Sequence, residues 1–297
     1  MLDLPDTIIS MIAFTKFGNY GRFGNQLFQY AYLRSQAKRL STKFYCPPWR
    51  GDEVFMLSDA EEKCPPFTPK HMYHEDPYKH GFQESATQMR DDTDVAGFFQ
   101  SPLFFKKEDV LRWFSFNESL FASVRAKYGN INLNKATAIH LRLGDYCNPS
   151  SLMFYTIRPE YVKRALSLIK EGGPILVISD SPETAKKYLG HMPEGTIFVE
   201  GNKDYEDFYL LAHAKNIICS ASSFSWWAAY LNKHPNKKVF MPQYWFLPMS
   251  RVKNETIFLD VWTRLPAHRP LLDNYYVRYA LFNLGFGRLL PFLVKNS

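Results

Sequence analysis

The residue whose chemistry is hardest to assign to folding alone is Arg142. It follows the apolar run that begins at Ala136, and Gly144 breaks the pattern just after it. That placement reads as the carboxyl end of a buried strand. A guanidinium there can hold a diphosphate through two parallel charge-assisted bonds, and it cannot lose its proton. His140 lies two residues earlier, on the same face of the strand. Its imidazole has three readings open to it: contact with a base or ribose, ordering of the arginine, or a satisfied place in the core. Asp145 also has three: a partner that orients His140 or Arg142, a general base, or a turn residue after Gly144. The orienting role is preferred.

The segment Ser220–Trp227 carries a second kind of chemistry. A short apolar strand ends, small hydroxyl residues follow, and a helix begins. Unpaired N–H groups and the positive dipole end of such a helix make an anion site, to which Ser222, Ser223 and Ser225 add hydroxyl donors. Taken alone, an ordinary serine N-cap explains the same residues. Glu206 and Asp207 fall at the start of another helix, where the dipole by itself favours carboxylates; a bond to a ribose or a base edge is the functional alternative. Near the N-terminus, Gly18 to Gln26 is a glycine turn leading from a strand into a helix, which brings Gly24 and Asn25 to the helix start. It has neither the G-x-G-x-x-G spacing nor a Walker-type lysine. Asp92-Thr93-Asp94 resembles an acid-x-acid metal clamp but sits in an unpatterned charged stretch, and no metal ligand is assigned.

The elements that must position these groups are clearest after residue 136. Strands are expected at Ala136–Arg142, Ile175–Ser179, Thr196–Val199, Ile217–Cys219 and Val239–Met241, with helices from Pro159, Ser181, Asp204 and Phe224 between them. Such alternation requires a mainly parallel sheet covered on both faces, with ligands beyond the carboxyl ends of its strands. Those ends carry Arg142 to Asp145, Ser179 to Ser181, Glu200 to Asn202 and Ser220 to Ser223. The N-terminal part opens with a strand at Ile8–Phe14 and a helix carrying Leu27, Tyr30, Ala31, Leu33, Ala37 and Leu40. Residues 46–96 are broken by Pro47, Pro48, Pro65, Pro66 and Pro69 and read as loops and short pieces. The expected division is 1–130, an acceptor-side lobe; 131–265, the donor lobe; and 266–297, a helical tail packing back on the body. The lobe boundary is placed in the polar stretch Tyr128–Asn134.

Composition bounds the answer without choosing it. The chain has 297 residues, 46% hydrophobic and 22% charged, which excludes wholesale disorder and leaves room for two lobes. Its formal charge of +7 suits an anionic partner such as a nucleotide diphosphate. No basic block interleaved with aromatics stands out, so nucleic acid is not an expected partner. The 25 Phe, 18 Tyr and 6 Trp are read first as core and second as sugar-stacking faces. Cys46, Cys64, Cys147 and Cys219 have neither C-x-x-C nor zinc spacing, which suits free thiols in a reducing compartment. A cytoplasmic location is expected, with the Golgi lumen as the alternative because of the sequons at Asn117 and Asn254. No run reaches the length of a membrane span. The tail from Tyr275 is read as a packed terminal helix, or else as a surface resting peripherally on a membrane.

Five segments together resemble glycosyltransferase family 11, the α-1,2-fucosyltransferases. They are Tyr20-Gly-Arg-Phe-Gly-Asn-Gln-Leu-Phe-Gln-Tyr-Ala31, Gly97-Phe-Phe-Gln100, Ile139-His-Leu-Arg-Leu-Gly-Asp-Tyr146, Val177-Ile-Ser-Asp180 and Ser222-Ser-Phe-Ser-Trp-Trp-Ala-Ala-Tyr-Leu231. They follow the family's order over roughly residues 8–246. The resemblance implies an α/β, two-lobed B-type glycosyltransferase, two Rossmann-like domains facing a cleft. It also implies a GDP-fucose donor, an oligosaccharide or glycolipid acceptor attacked through O2 of a galactoside, inversion at the anomeric carbon, and no cofactor or obligatory metal. On that reading Arg142, Asp145 and His140 are the catalytic group, and His140, Arg142, Asp207, Ser222, Ser223, Phe224, Asn25 and Gly24 hold the donor. The family's His-x-Arg-Arg-x-Asp pattern keeps its first arginine as Arg142 and has Leu143 in place of the second. That departure leaves open another GDP-deoxysugar such as colitose, or a non-catalytic glycan- or nucleotide-binding protein.

Overall fold

The computed structural model describes residues 11–76, 78–144, 146, 153–247, 250, 252, 254–268 and 275–284. Two compact units emerge, residues 1–117 and 118–297. The division thus falls earlier than the expected boundary at 130, and the physical reason lies in the segment between. Phe121 stacks on Tyr209 at 4.3 Å, and Lys127 donates to the Glu200 carbonyl at 2.6 Å and to Asn202 at 2.8 Å, so residues 118–127 pack with the second unit.

The first unit contains β1 (Met11–Ala13), α1 (Phe23–Leu40), β2 (Lys43–Tyr45), α2 (Gly51–Val54), β3 (His71–His74), β4 (Thr93–Ala96) and α3 (Lys107–Trp113). Its four strands pair in the order β2-β1-β4-β3, all parallel. Of the expected strand Ile8–Phe14, the part before Met11 lies outside the described residues. The region 46–96, read as loops and short pieces, supplies two of the four strands, β3 and β4. β4 escaped notice because Thr93 and Asp94 break its hydrophobic pattern, yet all four of its residues are buried. Asp94 is satisfied there by the Thr15 amide at 2.9 Å and by the Thr15 hydroxyl, as a buried carboxylate must be. Asp92 instead pairs with Lys70 at 3.0 Å. The two carboxylates of the suspected clamp are separately committed. Aromatic rings fill this unit's core: Tyr30 stacks on Trp49 at 5.1 Å and Tyr32 on Phe99 at 3.7 Å.

The second unit runs α4 (Ala122–Lys127), β5 (Thr137–Leu141), α5 (Pro159–Ser167), β6 (Ile175–Ser179), α6 (Pro182–Leu189), β7 (Ile197–Phe198), α7 (Asp204–His213), β8 (Asn216–Ile218), α8 (Ser223–Leu231), β9 (Val239–Pro242), β10 (Thr263–Leu265) and α9 (Tyr275–Asn283). The sheet order is β10-β9-β8-β5-β6-β7, again all parallel. Counted from β5 this is 3-2-1-4-5-6, the doubly wound order of nucleotide-binding sheets. One strand more is present than the five expected. β10 was missed because it is a three-residue edge strand with Thr263 and Arg264 exposed. β5 reads as continuous apolar sequence because both its faces are covered, and every residue in it is buried. α8 anchors the layer: Trp226 and Trp227 are fully buried, and Trp226 donates its indole N–H to the Ile257 carbonyl at 2.7 Å.

The expected C-terminal helix appears as α9, with Val277, Tyr279 and Leu284 exposed; residues 269–274 and 285–297 of that tail lie outside the described residues. Among the described residues no helix is long and apolar enough to cross a membrane. Cys46, Cys64 and Cys219 are free thiols; Cys147 lies outside the described residues.

Candidate functional site

A doubly wound sheet opens a crevice where the chain reverses direction across it, here between the carboxyl ends of β5 and β8. The turn after β5 carries Arg142, and the turn after β8 carries Ser220 to Ser223. Ser220 locks the two turns together. Its hydroxyl donates to the His140 carbonyl at 2.7 Å and accepts from the Arg142 amide at 3.1 Å. Tyr146 adds a second tie by donating to the Ala221 carbonyl at 2.8 Å. Arg142 and the first turn of α8 are thus tied together through Ser220 and Tyr146.

The guanidinium of Arg142 is mostly buried and pairs with Asp180 at 2.9 Å. The same carboxylate accepts from the amides of Leu143 at 2.9 Å and Gly144 at 3.1 Å. Asp180 therefore orients Arg142, the role the sequence reading preferred for Asp145, which lies outside the described residues. The sequence holds one clue, Asp180 at the end of Val177-Ile-Ser-Asp180. Which strand lies beside β5, however, only the topology tells. On its other side Arg142 faces the Tyr146 ring at 5.7 Å, and that ring stacks on Phe154 at 4.7 Å. Leu143, at the position of the missing second arginine, is buried and serves the core.

His140 is 4% exposed, and its Nδ1 has no hydrogen-bond partner among the described residues. That unmet nitrogen argues against a fully satisfied core histidine. Burial, reinforced by the Arg142 charge, pushes its pKa down to about 3, against an opposing pull from Asp180. The ring is neutral at working pH and unsuited to shuttling protons; it forms a wall against Phe224, with ring centroids 5.3 Å apart. The unfolded ring takes a proton near pH 6.5 and the folded ring only near 3. This group is therefore neutral to stability above about 6.5 and lowers it as pH falls from there towards 3. His140→Phe should melt with a shallower loss than the wild type between pH 6.5 and 4. The difference between the two curves isolates His140, because Glu75 and Asp207, whose pKa values are raised, act in the opposite sense in both proteins. Equal slopes would exclude this account.

At the start of α8, Ser222 occupies the N-cap without a side-chain capping bond, so the simple serine-cap explanation does not hold. Ser223 opens the helix. Ser225 is a correction: it is fully buried, and its hydroxyl donates to the carbonyls of Ser222 at 3.3 Å and Ser220 at 3.4 Å, so it shapes the turn. Phe224 sits between His140 and Phe208, the latter at 5.3 Å, which packs the middle of α7 against the start of α8.

On α7 the expected cap at Asp204 is in fact the first helical residue. Lys203 is the N-cap, and Glu206 accepts its amide at 2.8 Å, so Glu206 is spent on capping. Asp207 accepts from the Asn202 amide at 3.0 Å. Burial pushes its pKa up to about 6, helped by Glu206 and Asp204.

Gly24 and Asn25 belong to the first unit. Asn25 donates to the Tyr20 carbonyl at 3.1 Å and accepts from Gln100 at 2.8 Å, tying the glycine turn to the loop after β4. Gly21 has φ +105, and a Cβ there would lie 2.0 Å from Nδ2 of Asn25, so the turn requires glycine. Asn25 thus supports the turn. Gly24 is buried inside the first turn of α1. Among the described residues no group of three or more His, Cys, Asp or Glu is gathered as a metal would need.

Comparison with known proteins agrees with this architecture. Residues 12–266 match the model of glycosyl transferase family 11. The chain is 29% identical over 171 residues to the O-antigen biosynthesis glycosyltransferase WbnK of Escherichia coli, a match covering 55% of this chain and only 54% of that protein. It is 26% identical to an Escherichia coli alpha-1,2-colitosyltransferase, covering 76% and 90%, and 24% identical to the bovine (Bos taurus) galactoside alpha-(1,2)-fucosyltransferase 2, covering 86% and 80%. Among solved structures, POFUT1 in complex with GDP-fucose superposes with a TM-score of 0.51 at 13% identity, covering 78% of this chain and 98% of that one. The fucosyltransferase NodZ from Bradyrhizobium does so with 0.50 at 16%, covering 76% and 92%. These likenesses place the fold among B-type glycosyltransferases, and with the family model matching most of its length the chain belongs to glycosyl transferase family 11.

Proposed function

We propose that this enzyme transfers L-fucose from GDP-fucose to a glycan hydroxyl, O2 of a galactoside, with inversion at the anomeric carbon. The single observation that carries the reading is the Asp180-oriented Arg142 tied through Ser220 to the start of α8, at the point where the sheet reverses. As the bond from the anomeric carbon to the β-phosphate stretches, the sugar becomes oxocarbenium-like and the leaving GDP gains negative charge. Arg142, the Ser222 hydroxyl and Ser223 at the start of α8 receive that charge, while the Ser222 amide is bonded to the Ser220 carbonyl at 2.8 Å. A preorganised donor of this kind contributes about 3–4 kcal/mol to transition-state stabilisation. His140, neutral and with an unmet Nδ1, offers the donor a hydrogen bond without adding charge. Asp207, whose raised pKa marks a costly burial, suits the nucleoside end. Relatives at 22–29% identity carry both fucosyl and colitosyl names, and GDP-colitose is the second reading, favoured by the 90% coverage of the colitosyltransferase.

The test is release of GDP or UDP from a panel of GDP-fucose, GDP-colitose and UDP-sugars with lactose as acceptor, with and without magnesium. GDP-fucose should be consumed at least tenfold faster than any UDP-sugar, at a rate unchanged by chelator. Consumption of UDP-sugars alone would refute the guanosine assignment. Binding of GDP without turnover would favour a non-catalytic protein.

A further inference from the structure

Asp180 accounts for one contact of Arg142, and the neighbour on its other side is aromatic. The guanidinium faces the Tyr146 ring at 5.7 Å. Tyr146 stacks on Phe154 at 4.7 Å with the planes 11° apart, and Phe154 meets Phe246 at 5.8 Å. All three rings belong to the second unit. Phe246 is core, only 5% exposed, whereas Tyr146 and Phe154 are half-buried.

Hydrogen bonds hold this wall in place. The Tyr146 hydroxyl donates to the Ala221 carbonyl at 2.8 Å, which ties its ring to the turn before α8. The residues on either side of Phe154 are pinned to the loop after β9: the Leu247 amide donates to the Met153 carbonyl at 2.8 Å, and the Tyr155 hydroxyl donates to the Tyr244 carbonyl at 2.6 Å. Tyr155 is fully buried and serves the core. Core packing therefore explains Tyr155 and Phe246. It gives no reason for two flat, fixed rings to stay partly exposed beside Arg142, at the mouth of the crevice. Such rings offer close contact to C–H groups and no hydrogen bond to a hydroxyl laid against them.

We propose that Tyr146 and Phe154 form the seat for the C6 methyl group of the donor sugar, and that they select 6-deoxyhexoses against the same sugars carrying a hydroxyl on C6. The assignment rests on the transferase reading above. The sugar hangs from the β-phosphate by a single oxygen, so groups beside the guanidinium that grips this phosphate lie within its reach. The base is further off, separated by the α-phosphate and the ribose. A C6 hydroxyl against the two rings would give up its bonds to water without replacement. Rejection of this passive kind reaches about a hundredfold and no more, because the wall offers nothing that the added oxygen could repel. Colitose carries the same methyl group as fucose, so the seat serves either donor and distinguishes both from ordinary hexoses.

The experiment measures kcat/KM for GDP-L-fucose and for GDP-L-galactose, its analogue with one added hydroxyl on C6, with lactose as acceptor, in the wild type and in Phe154→Ala. GDP affinity by calorimetry accompanies both. Phe154 is the residue to change, because Tyr146 also faces Arg142 and holds the Ala221 carbonyl, and its loss would disturb the grip on the diphosphate. The wild type should prefer GDP-L-fucose by about 30- to 100-fold. F154A should lose about tenfold with GDP-L-fucose and stay within about twofold with GDP-L-galactose, so the preference shrinks at least about fivefold while GDP affinity holds within about twofold. Equal use of the two donors by the wild type, or a preference for GDP-L-galactose, overturns the proposal whatever becomes of the variant's fold. So does an F154A loss shared by both donors, which marks Phe154 as packing alone, and so does a loss that tracks GDP affinity, which places the base against the rings. A wild type that binds GDP and turns over neither donor overturns the transferase reading and the seat with it, an outcome distinct from equal use of both.

Discussion

Replacing Arg142 with alanine should lower kcat/KM for the GDP-sugar by about 10²–10³-fold and weaken GDP binding at least about tenfold. The size follows from position. The guanidinium is mostly buried, and at the proposed diphosphate site no other cationic side chain of the 136–146 segment shares its task, since Leu143 is in the core. The loss should be chemical and not a loss of fold. Asp180 would keep two amide donors, those of Leu143 and Gly144, so the ends of β5 and β6 stay joined and stability should change by about 1–2 kcal/mol at most. Arg142→Lys separates charge from geometry: an ammonium keeps the charge and loses the planar fork, so it should recover less than a tenth of wild-type activity. Calorimetry with GDP and a turnover assay with the donor check both. An R142A variant within threefold of wild type in both would leave the diphosphate held elsewhere and end the present account of the site.

How much of this was written in the sequence differs between the two units, and the reason is physical. In the second unit strands buried on both faces must be apolar, and the helices between them must show one apolar stripe, so β5, β6 and β8 announce themselves and carry Arg142 and Ser222 to one edge by rule. β10 does not, because an edge strand with exposed Thr263 and Arg264 has no burial to impose a pattern. In the first unit the strands are three or four residues long, and one buries an aspartate that Thr15 satisfies across 79 positions of chain. No local pattern encodes such a bond. The same limit hid Asp180. It matters because of the strand beside it, β5, and adjacency in a sheet whose order is not the chain order leaves no trace in spacing. Ser225 failed in the opposite way: its type and position suited an anion site, and burial within the turn spends its hydroxyl on carbonyls.

Asp180→Asn should separate binding from catalysis. Asparagine keeps one oxygen for the Leu143 amide, but its NH₂ then faces the Gly144 amide and the Arg142 guanidinium, donor against donor. Arg142 loses the contact that fixes its plane. On the proposed assignment two effects oppose each other in the ground state: a looser guanidinium weakens the grip on GDP, while removal of a carboxylate beside the proposed diphosphate site relieves repulsion. Both are worth about 1–3 kcal/mol at an effective dielectric near 20, so GDP affinity should change less than threefold. Turnover has no such offset, because it depends on Arg142 meeting charge in the one geometry where that charge develops; kcat should fall about 30- to 100-fold. If Asp180 acts through Arg142, the effects cannot add. The double variant R142A/D180N should be no slower than R142A alone within about threefold, whereas independent roles would multiply the two losses. Measured multiplication, or a GDP affinity that falls in step with kcat, would show that Asp180 touches the donor directly or that its loss disorders the turn. Either result would remove the ion pair from its place as the device that aims Arg142.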